Sequence, residues 1–289
     1  MKSNRAVHFF IALFSCTLIV SCDEVEKPII EYGVYRSDLY GPAPEFESSP
    51  NPHQQVLLED FTGHECGNCP NGHARAAELL ETYGEDLAVV SIHAGSLAAP
   101  LPPEYPDDWT TPEGQYYLLT QVQQDIMPKG RINRRPGAST IFSPSAWAGQ
   151  VAEAIAEQPL VNMQVKGDYQ ATNNHWNVHV FSEWLQNATG NFKLVVMLTE
   201  SGIVAPQFFI GNDPEYIEDY HHEHMLRTTG TGATGLTVFT DPAAGTSEVE
   251  SYTFEWNSEW VPDSCEVIVL LTEGDNGRVM NVAKTKLIP

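Results

Sequence analysis

The sequence is short of positive charge. Lysine and arginine number 15 against 38 aspartates and glutamates, a formal net charge of −23 over 289 residues. A surface of that sign repels phosphate backbones and anionic head groups, so no nucleic-acid partner is expected and the charge reads as a solvated, self-repelling surface. Long apolar runs are equally scarce. The run from Ala6 to Val20 is too short, and has the wrong flanks, for a lasting membrane-spanning helix. No repeat of 20 to 50 residues is present, which removes solenoids and propellers. Cysteine is limited to positions 16, 22, 66, 69 and 265. What remains is a chain with 42% apolar residues, long enough for one large domain or two ordinary ones with a real core.

The amino terminus sets the compartment. Lys2 and Arg5 precede the apolar run and small residues follow it, which predicts a secretory signal peptide over residues 1–21. The ending Ile19-Val20-Ser21-Cys22 resembles a bacterial lipobox. That resemblance implies acylation of Cys22 and a membrane attachment that needs no spanning element; an ordinary signal peptide with a chance cysteine is the alternative. Residues 23–27, Asp-Glu-Val-Glu-Lys, resemble the acidic export signals that send some Bacteroidetes lipoproteins to the outer face of the outer membrane, or form a plain acidic tether. The expected location is therefore the outer membrane, lipid-anchored, on its periplasmic or cell-surface face. With Cys16 in the signal and Cys22 carrying lipid, Cys66 and Cys69 form the expected intramolecular pair in an exported protein. Cys265, in the alternating CEVIVLLTE, is expected to be a small buried side chain.

The rest divides by texture. Residues 22–52, rich in Pro, Ser, Glu and aromatics, read as a tether with little structure of its own. From 53 to 158 strand and helix patterns alternate: a strand at Val56 to Phe61, a helix over 67–83 capped by Gly84, a doubly buried strand LAVVSIH at 87–93, and a Pro-rich insertion from Gly95 to Pro112. A helix over 113–124, a strand-turn-strand in DIMPKGRINRRPGASTIF and a helix over 145–157 follow. This is an α/β layer plan. From 160 to 289 seven strand-like segments, VNMQVKGDYQ, WNVHVFSEW, NFKLVVMLTE, GLTVFT, EVESYTFEWN, CEVIVLLTE and RVMNVAKTKL, predict an all-β, immunoglobulin-like sandwich, with GDNG at 274–277 as the last hairpin turn. No band of lipid-facing residues with aromatic girdles argues for a membrane barrel.

The chemistry concentrates in VLLEDFTGHECGNCP, residues 56–70. A Cys-x-x-Cys pair where a strand ends and a helix begins is the arrangement that thiol–disulfide exchange requires. Amides at the helix start stabilise a thiolate on Cys66, and Cys69 one turn on can resolve a mixed disulfide. Residues 56–69 resemble the thioredoxin signature. The resemblance implies that Asp60, six positions before Cys66, is a buried carboxyl that moves a proton at the resolving cysteine, and that Pro128 of Met127-Pro128 is the cis-proline facing the disulfide and shaping a substrate groove. Glu65 stands where thioredoxins usually carry Trp. A carboxylate there raises the thiolate pKa, while a protonated His64 acts the other way.

Together, the lipobox, the tether, LEDFTGxxCxNCP, the INR segment at 132–134 and an all-β tail with LTESGIVAPQ and YHHEHMLR resemble the outer-membrane-protein-28 family of Bacteroidetes lipoproteins. The resemblance implies an α/β thioredoxin-like domain followed by a β-sandwich at the cell envelope. Other readings of the same residues are weaker. His64, Cys66, Cys69 and His73 lie within ten positions, but structural zinc sites gather a second ligand pair from a distant segment, so no metal is expected. Pro70 in place of His after Cys69 removes haem attachment, and no cofactor is implied. His222 and His224 of HHEH would share a face on a strand, and Trp176 with Trp184 would do for a binding face. A Cys-x-x-Cys loop is too short to constrain the unfolded chain much, which argues for a redox origin over a purely structural bond.

Two functions therefore stand. One is exchange on the thiols or disulfides of exported proteins, with Cys66 attacking, Cys69 resolving, Asp60 moving the proton and Pro128 shaping the groove. The other is a non-enzymatic binding protein or adhesin that recognises through the sandwich over an inert disulfide. An exposed Cys66 sulfur near Pro128 would fit the first. A disulfide walled off by the 95–112 insertion would fit the second.

Overall fold

The apolar runs pair first with each other. Val56–Thr62 (β1) and Leu87–His93 (β2) align in parallel, Val56 opposite Leu87 and Thr62 opposite His93, and all fourteen residues are buried. Both faces of such a strand must be covered, which is why the pattern is continuous rather than alternating. This computed structural model describes residues 33–47, 51–124, 126–135, 140–274 and 277–288. The signal peptide, Cys22 and the acidic stretch behind it lie outside them.

A four-residue helix α1 (Ser37–Tyr40) precedes β1. Helix α2 (Cys69–Tyr83) makes the crossover from β1 to β2. Pro70 sits in its first turn, where no N–H is needed, and Gly84 ends it at φ 53° with its N–H on the Leu80 carbonyl. The insertion that follows carries a single helical turn at Ser96–Ala98 and a bridge between Leu101 and Tyr105. Helix α3 (Pro112–Tyr117) is shorter than expected; at Leu118–Val122 the helix widens into a π turn. Strand β3 (Lys129–Ile132) lies antiparallel to β1, and Phe142 pairs with Gly130 as an isolated bridge; residues 136–139 of the expected strand-turn-strand lie outside the described residues. Helix α4 (Pro144–Ile155) packs beside α2. Its Trp147 is fully buried against Gly130, where a Cβ would lie 2.5 Å from the indole nitrogen.

Ten strands follow among the described residues: β4 (Val161–Gln170), β5 (His175–Trp184), β6 (Asn191–Glu200), β7 (Ile203–Phe208), β8 (Tyr216–His222), β9 (Met225–Thr229), β10 (Leu236–Thr240), β11 (Ser247–Glu255), β12 (Cys265–Glu273) and β13 (Val279–Lys286). Seven match the segments expected from their pattern; β7, β8 and β9 do not. A single sheet takes strands from both sides of the boundary expected at 158–160. Its order is β13-β12-β6-β9-β2-β1-β3, with β10 also on β6. The join is Ser91 of β2 against Met225 of β9, closed by the Ser91 N–H on the His224 carbonyl at 2.8 Å.

Alternation along β6 and β12 explains how this sheet is covered. Leu194, Val196 and Leu198 with Val267, Val269 and Leu271 face a three-stranded sheet, β11-β5-β4, and form one core with Trp176 and Trp184. Val195, Met197, Ile268 and Leu270 face the other way and join Leu57, Phe61 and Val90 beneath Tyr117, Leu118 and Val122. At the β1–β3 end, α2 and α4 cover Val56, Leu58, Leu87, Val89 and Ile132. The fold is thus β-rich, with helices at one end of a shared sheet. Trp176 and Trp184 are fully buried in this core and form no binding face.

Part of the expected tether is attached. Over residues 33–47, Tyr35 packs edge-on against His179, the Tyr40 hydroxyl bonds His175 Nδ1 at 2.8 Å, and Phe46 stacks on Phe181. Aromatics that look idle in a linker find the outer face of β5.

Candidate functional site

Strand β1 delivers Asp60 and Thr62 to the face covered by α2, and the strand-to-helix turn carries Cys66. The two cysteines are disulfide-bonded, with Cα atoms 5.3 Å apart. Cys69 opens α2, so its helix-start amides face the disulfide. The Met127–Pro128 bond is cis. Pro128 lies over α2 at Gly72: a Cβ there would stand 3.1 Å from Pro128 Cβ and 3.6 Å from Asp60 Oδ2. Glycine at 72 is what lets the proline, the helix and the carboxyl approach one another. The structure therefore gathers Asp60, Cys66, Cys69 and Pro128 around the first turn of α2.

Asp60 is wholly buried and neither carboxyl oxygen has a hydrogen-bond partner. Desolvation pushes its pKa well above the ordinary aspartate value, favouring the protonated form. His73 Nε2 stands 3.9 Å from Asp60 Oδ2. That separation fits an ion pair, but burial drives His73 down to about 3, so its imidazole is neutral and carries no charge to pair. His73 Nε2 is instead 2.8 Å from Thr62 Oγ1, and Nδ1 is 2.7 Å from the Tyr220 hydroxyl of β8. Tyr220 is pushed up to about 12 by burial and by the neighbouring Asp60 and Glu223.

Access to the disulfide is closed. Cys66 is 3% exposed and Cys69 0%. Of the two arrangements set out from the sequence, this is the walled-off disulfide, the one that fits the binding-protein reading: two segments enclose it. On one side the 95–112 insertion takes the Glu65 N–H on Leu97 O at 3.0 Å, while His64 stacks on Tyr105 with centroids 4.9 Å apart and faces Ala99 O with Nε2 at 2.9 Å. On the other, the end of β7 runs beside the cysteine loop like an added strand. The Phe208 N–H donates to His64 O at 2.8 Å and the Ile210 N–H to Gly67 O at 2.9 Å. Gln207, fully buried, donates Nε2 to Cys66 O at 3.1 Å. The Phe208 ring lies where a Cβ on Gly67 would be, at 2.8 Å. The Tyr216 hydroxyl, donating to Glu104 O at 2.9 Å, ties the two walls together.

Behind the walls sits a histidine cluster. The His93 and His222 rings meet edge to face at 5.4 Å, both are nearly fully buried, and the two ring nitrogens of His93 lack hydrogen-bond partners. Burial, with repulsion from His222, holds His93 well below the ordinary histidine value; burial, with repulsion from His64 and His221, takes His222 down to about 4, so both are neutral. His224 falls outside β8 at φ 56°, so His222 and His224 do not share a strand face. Among the described residues no group of three or more His, Cys, Asp or Glu side chains is placed to hold a metal. Cys265 is buried as expected, its thiol pushed up to about 12 by desolvation.

The wall residues Gln207, Phe208 and Tyr220 were not legible as site residues. Pro206 interrupts β7 and Glu218, Asp219 and His221 make β8 polar, so neither reads as a strand. The signal that was present is the Tyr-His-His run itself, an aromatic and titratable cluster in an otherwise acidic stretch.

The architecture has relatives among solved structures. HBP35 of Porphyromonas gingivalis aligns over 83% of this chain and 77% of its own, with a TM-score of 0.64 at 16% identity. A protein from Agrobacterium tumefaciens aligns over 82% and 96%, at 0.50 and 13%. A domain of the outer membrane lipoprotein Omp28 from Porphyromonas gingivalis covers 45% of this chain and 90% of its own, at 0.31 and 15%. At these identities the likeness of the first two is one of fold. No curated protein matches the sequence. The family model described as outer membrane protein Omp28 matches residues 116–289, and the chain belongs to that family of outer membrane proteins.

Proposed function

We propose that β1, α2, β2, β3 and α4 make a thioredoxin-like unit, that Cys22 carries the lipid which holds the chain at the outer membrane, and that the Cys66–Cys69 pair exchanges disulfides with exported proteins. Cys66 is the attacking sulfur, Cys69 the resolving one, Asp60 the proton carrier, and Pro128 shapes the groove once the β7 wall parts. The observation that carries this reading is Asp60. A fully buried carboxyl without a single hydrogen-bond donor costs stability and contributes nothing to an inert scaffold. Placed beneath the helix that begins at Cys69, and kept protonated by burial, it is a poised acid for a leaving thiolate.

The test is trapping. Cys69→Ala should accumulate mixed disulfides through Cys66 with envelope proteins, and the intact chain should reduce insulin or refold a scrambled substrate. Neither turnover nor a trapped partner would refute it. The second reading, a binding protein or adhesin over an inert disulfide, draws on a specific observation as well: the 3% exposure of Cys66 behind two hydrogen-bonded walls. Under that reading the disulfide stays unreactive toward protein thiols in the intact chain.

A further inference from the structure

Resting on the exchange reading above, we infer that His73 and Tyr220 form a proton path between Asp60 and solvent. Asp60 sits behind the first turn of α2 with no route to water of its own, since both oxygens are buried. A proton carrier that cannot be refilled works once. His73 is the side chain that reaches it, with Nε2 3.9 Å from Oδ2. Closing that gap to hydrogen-bond length takes about 1 Å of side-chain movement. From His73 the path continues without a break, Nδ1 to the Tyr220 hydroxyl at 2.7 Å. His73 and Tyr220 in turn line a groove of about 450 Å³ between α2 and β8, walled by Pro70, Ala74, Ala77 and Phe209. An imidazole that is neutral and bonded at both nitrogens is the group that can accept on one side while releasing on the other. Glu81, His221, Glu223 and His224 also line this groove, and His222 and His93 lie within electrostatic reach of His73.

In the reductive direction, the thiolate of a dithiol bonds to Cys66 Sγ. The Cys66–Cys69 bond breaks and its electron pair leaves on Cys69 Sγ, which takes the proton of Asp60. The Asp60 carboxylate recovers a proton from His73 Nε2, while Nδ1 takes the hydroxyl proton of Tyr220 and solvent in the groove restores it. The second thiol of the dithiol then displaces Cys66, so the dithiol is oxidised and the protein disulfide reduced. Oxidation runs the same path backwards. His73 and Tyr220 touch neither sulfur in this scheme; they set how fast Asp60 is refilled and leave the equilibrium unchanged.

The experiment is single-turnover reduction of the full-length chain by dithiothreitol at pH 7 in dilute buffer, followed by thiol trapping, for wild type, Tyr220→Phe and His73→Gln. Both variants should slow reduction roughly tenfold or more, in the range of a lost acid–base group. They should also show a larger solvent deuterium isotope effect and recover when imidazole, which fits the groove, is added. The equilibrium with dithiothreitol should stay at the wild-type value, which also reports that the fold is intact. Wild-type rates in both variants, or slowing that imidazole does not relieve, would overturn the path. Dithiothreitol attacks any disulfide, so the outcome is independent of the protein-substrate assay. Slowed, rescuable variants with no turnover of protein substrates would leave the path standing and remove the exchange reading; the converse would do the opposite.

Discussion

Replacing Asp60 with asparagine should stabilise the protein, and more so as the pH rises. In the folded chain the Asp60 pKa is raised by desolvation alone, while the unfolded chain ionises near the ordinary value of 3.8. Below that value both states are protonated and the group is neutral to stability. Above it the unfolded state sheds a proton that the folded state keeps. The folded-to-unfolded ratio then falls about tenfold per pH unit until the folded pKa is reached. From pH 4 to pH 7 this amounts to at most about 4 kcal/mol, reached if the folded carboxyl stays protonated throughout. Asparagine has nearly the same shape, cannot ionise, and leaves the same buried polar atoms without partners, so the desolvation of a neutral group cancels in the comparison. Urea unfolding of the oxidised wild type and Asp60→Asn at pH 4, 5, 6 and 7 would therefore give curves that coincide at pH 4 and diverge steadily above it. Other titrations, including the buried histidines, occur in both proteins and drop out of the difference. A constant offset across the four pH values would show that Asp60 ionises normally in the fold, and the acid under α2 would lose its reason.

The histidine cluster has the opposite sign. His222 is neutral when folded down to about 4, whereas unfolded histidine protonates near 6.5, so stability is lost as pH falls through that window, about tenfold in the folded ratio per unit for each such ring. His222→Phe should flatten the acid limb of a pH–stability profile measured by urea midpoints, and an unchanged limb would count against it. On the other face of β1, Glu59 and Arg134 are both fully buried and joined at 2.7 Å, with Arg134 4.4 Å over the Tyr117 ring. Glu59→Ala strands the guanidinium and should cost roughly 3–5 kcal/mol in chemical denaturation; a loss under 1 would mean the arginine finds water. Phe208→Ala removes the ring over Gly67 and should speed reduction of the disulfide by dithiothreitol severalfold at unchanged equilibrium. No acceleration would mean that the 95–112 wall alone controls access.

The sequence carried the local half of this molecule well. The parallel pair β1–β2, the helix between them with its Pro70 start and Gly84 stop, α4, and seven later strands all have patterns that one segment suffices to display. The quartet Asp60, Cys66, Cys69 and Pro128 was legible because residues 56–69 resemble the thioredoxin signature, which implies a carboxyl before the cysteines and a proline facing them. What escaped is long-range. Nothing in LAVVSIH says that its outer edge meets Met225, because a doubly buried strand has the same pattern whichever neighbour it takes. The widening of α3 at Leu118 is likewise a tertiary effect, where Tyr117, Leu118 and Val122 turn to cover Val195, Met197 and Ile268. Tyr35, Tyr40 and Phe46 looked like linker residues because their partners, His179, His175 and Phe181, lie more than a hundred positions away.

That same long-range pairing bears on how the site works. The β7–β8 hairpin belongs to the later part of the chain, yet it supplies Gln207 and Phe208 over the cysteine loop and Tyr220 against His73. Backbone donors of Phe208 and Ile210 occupy carbonyls of His64 and Gly67 that an extended substrate would otherwise meet, in the manner of a strand added to an edge. The hairpin is held by two backbone bonds and the Gln207 amide at the loop, by Tyr220 on His73, by Tyr216 on Glu104 and by the Phe208 ring over Gly67, each hydrogen bond worth about 1 kcal/mol net. Asp60 and His93 stand on β1 and β2 of the shared sheet, whereas His222 and Tyr220 belong to the covering hairpin itself. Under the exchange reading this hairpin must part before a substrate reaches Cys66; under the binding reading it stays shut, and the Phe208→Ala reduction rate reads how far it controls access.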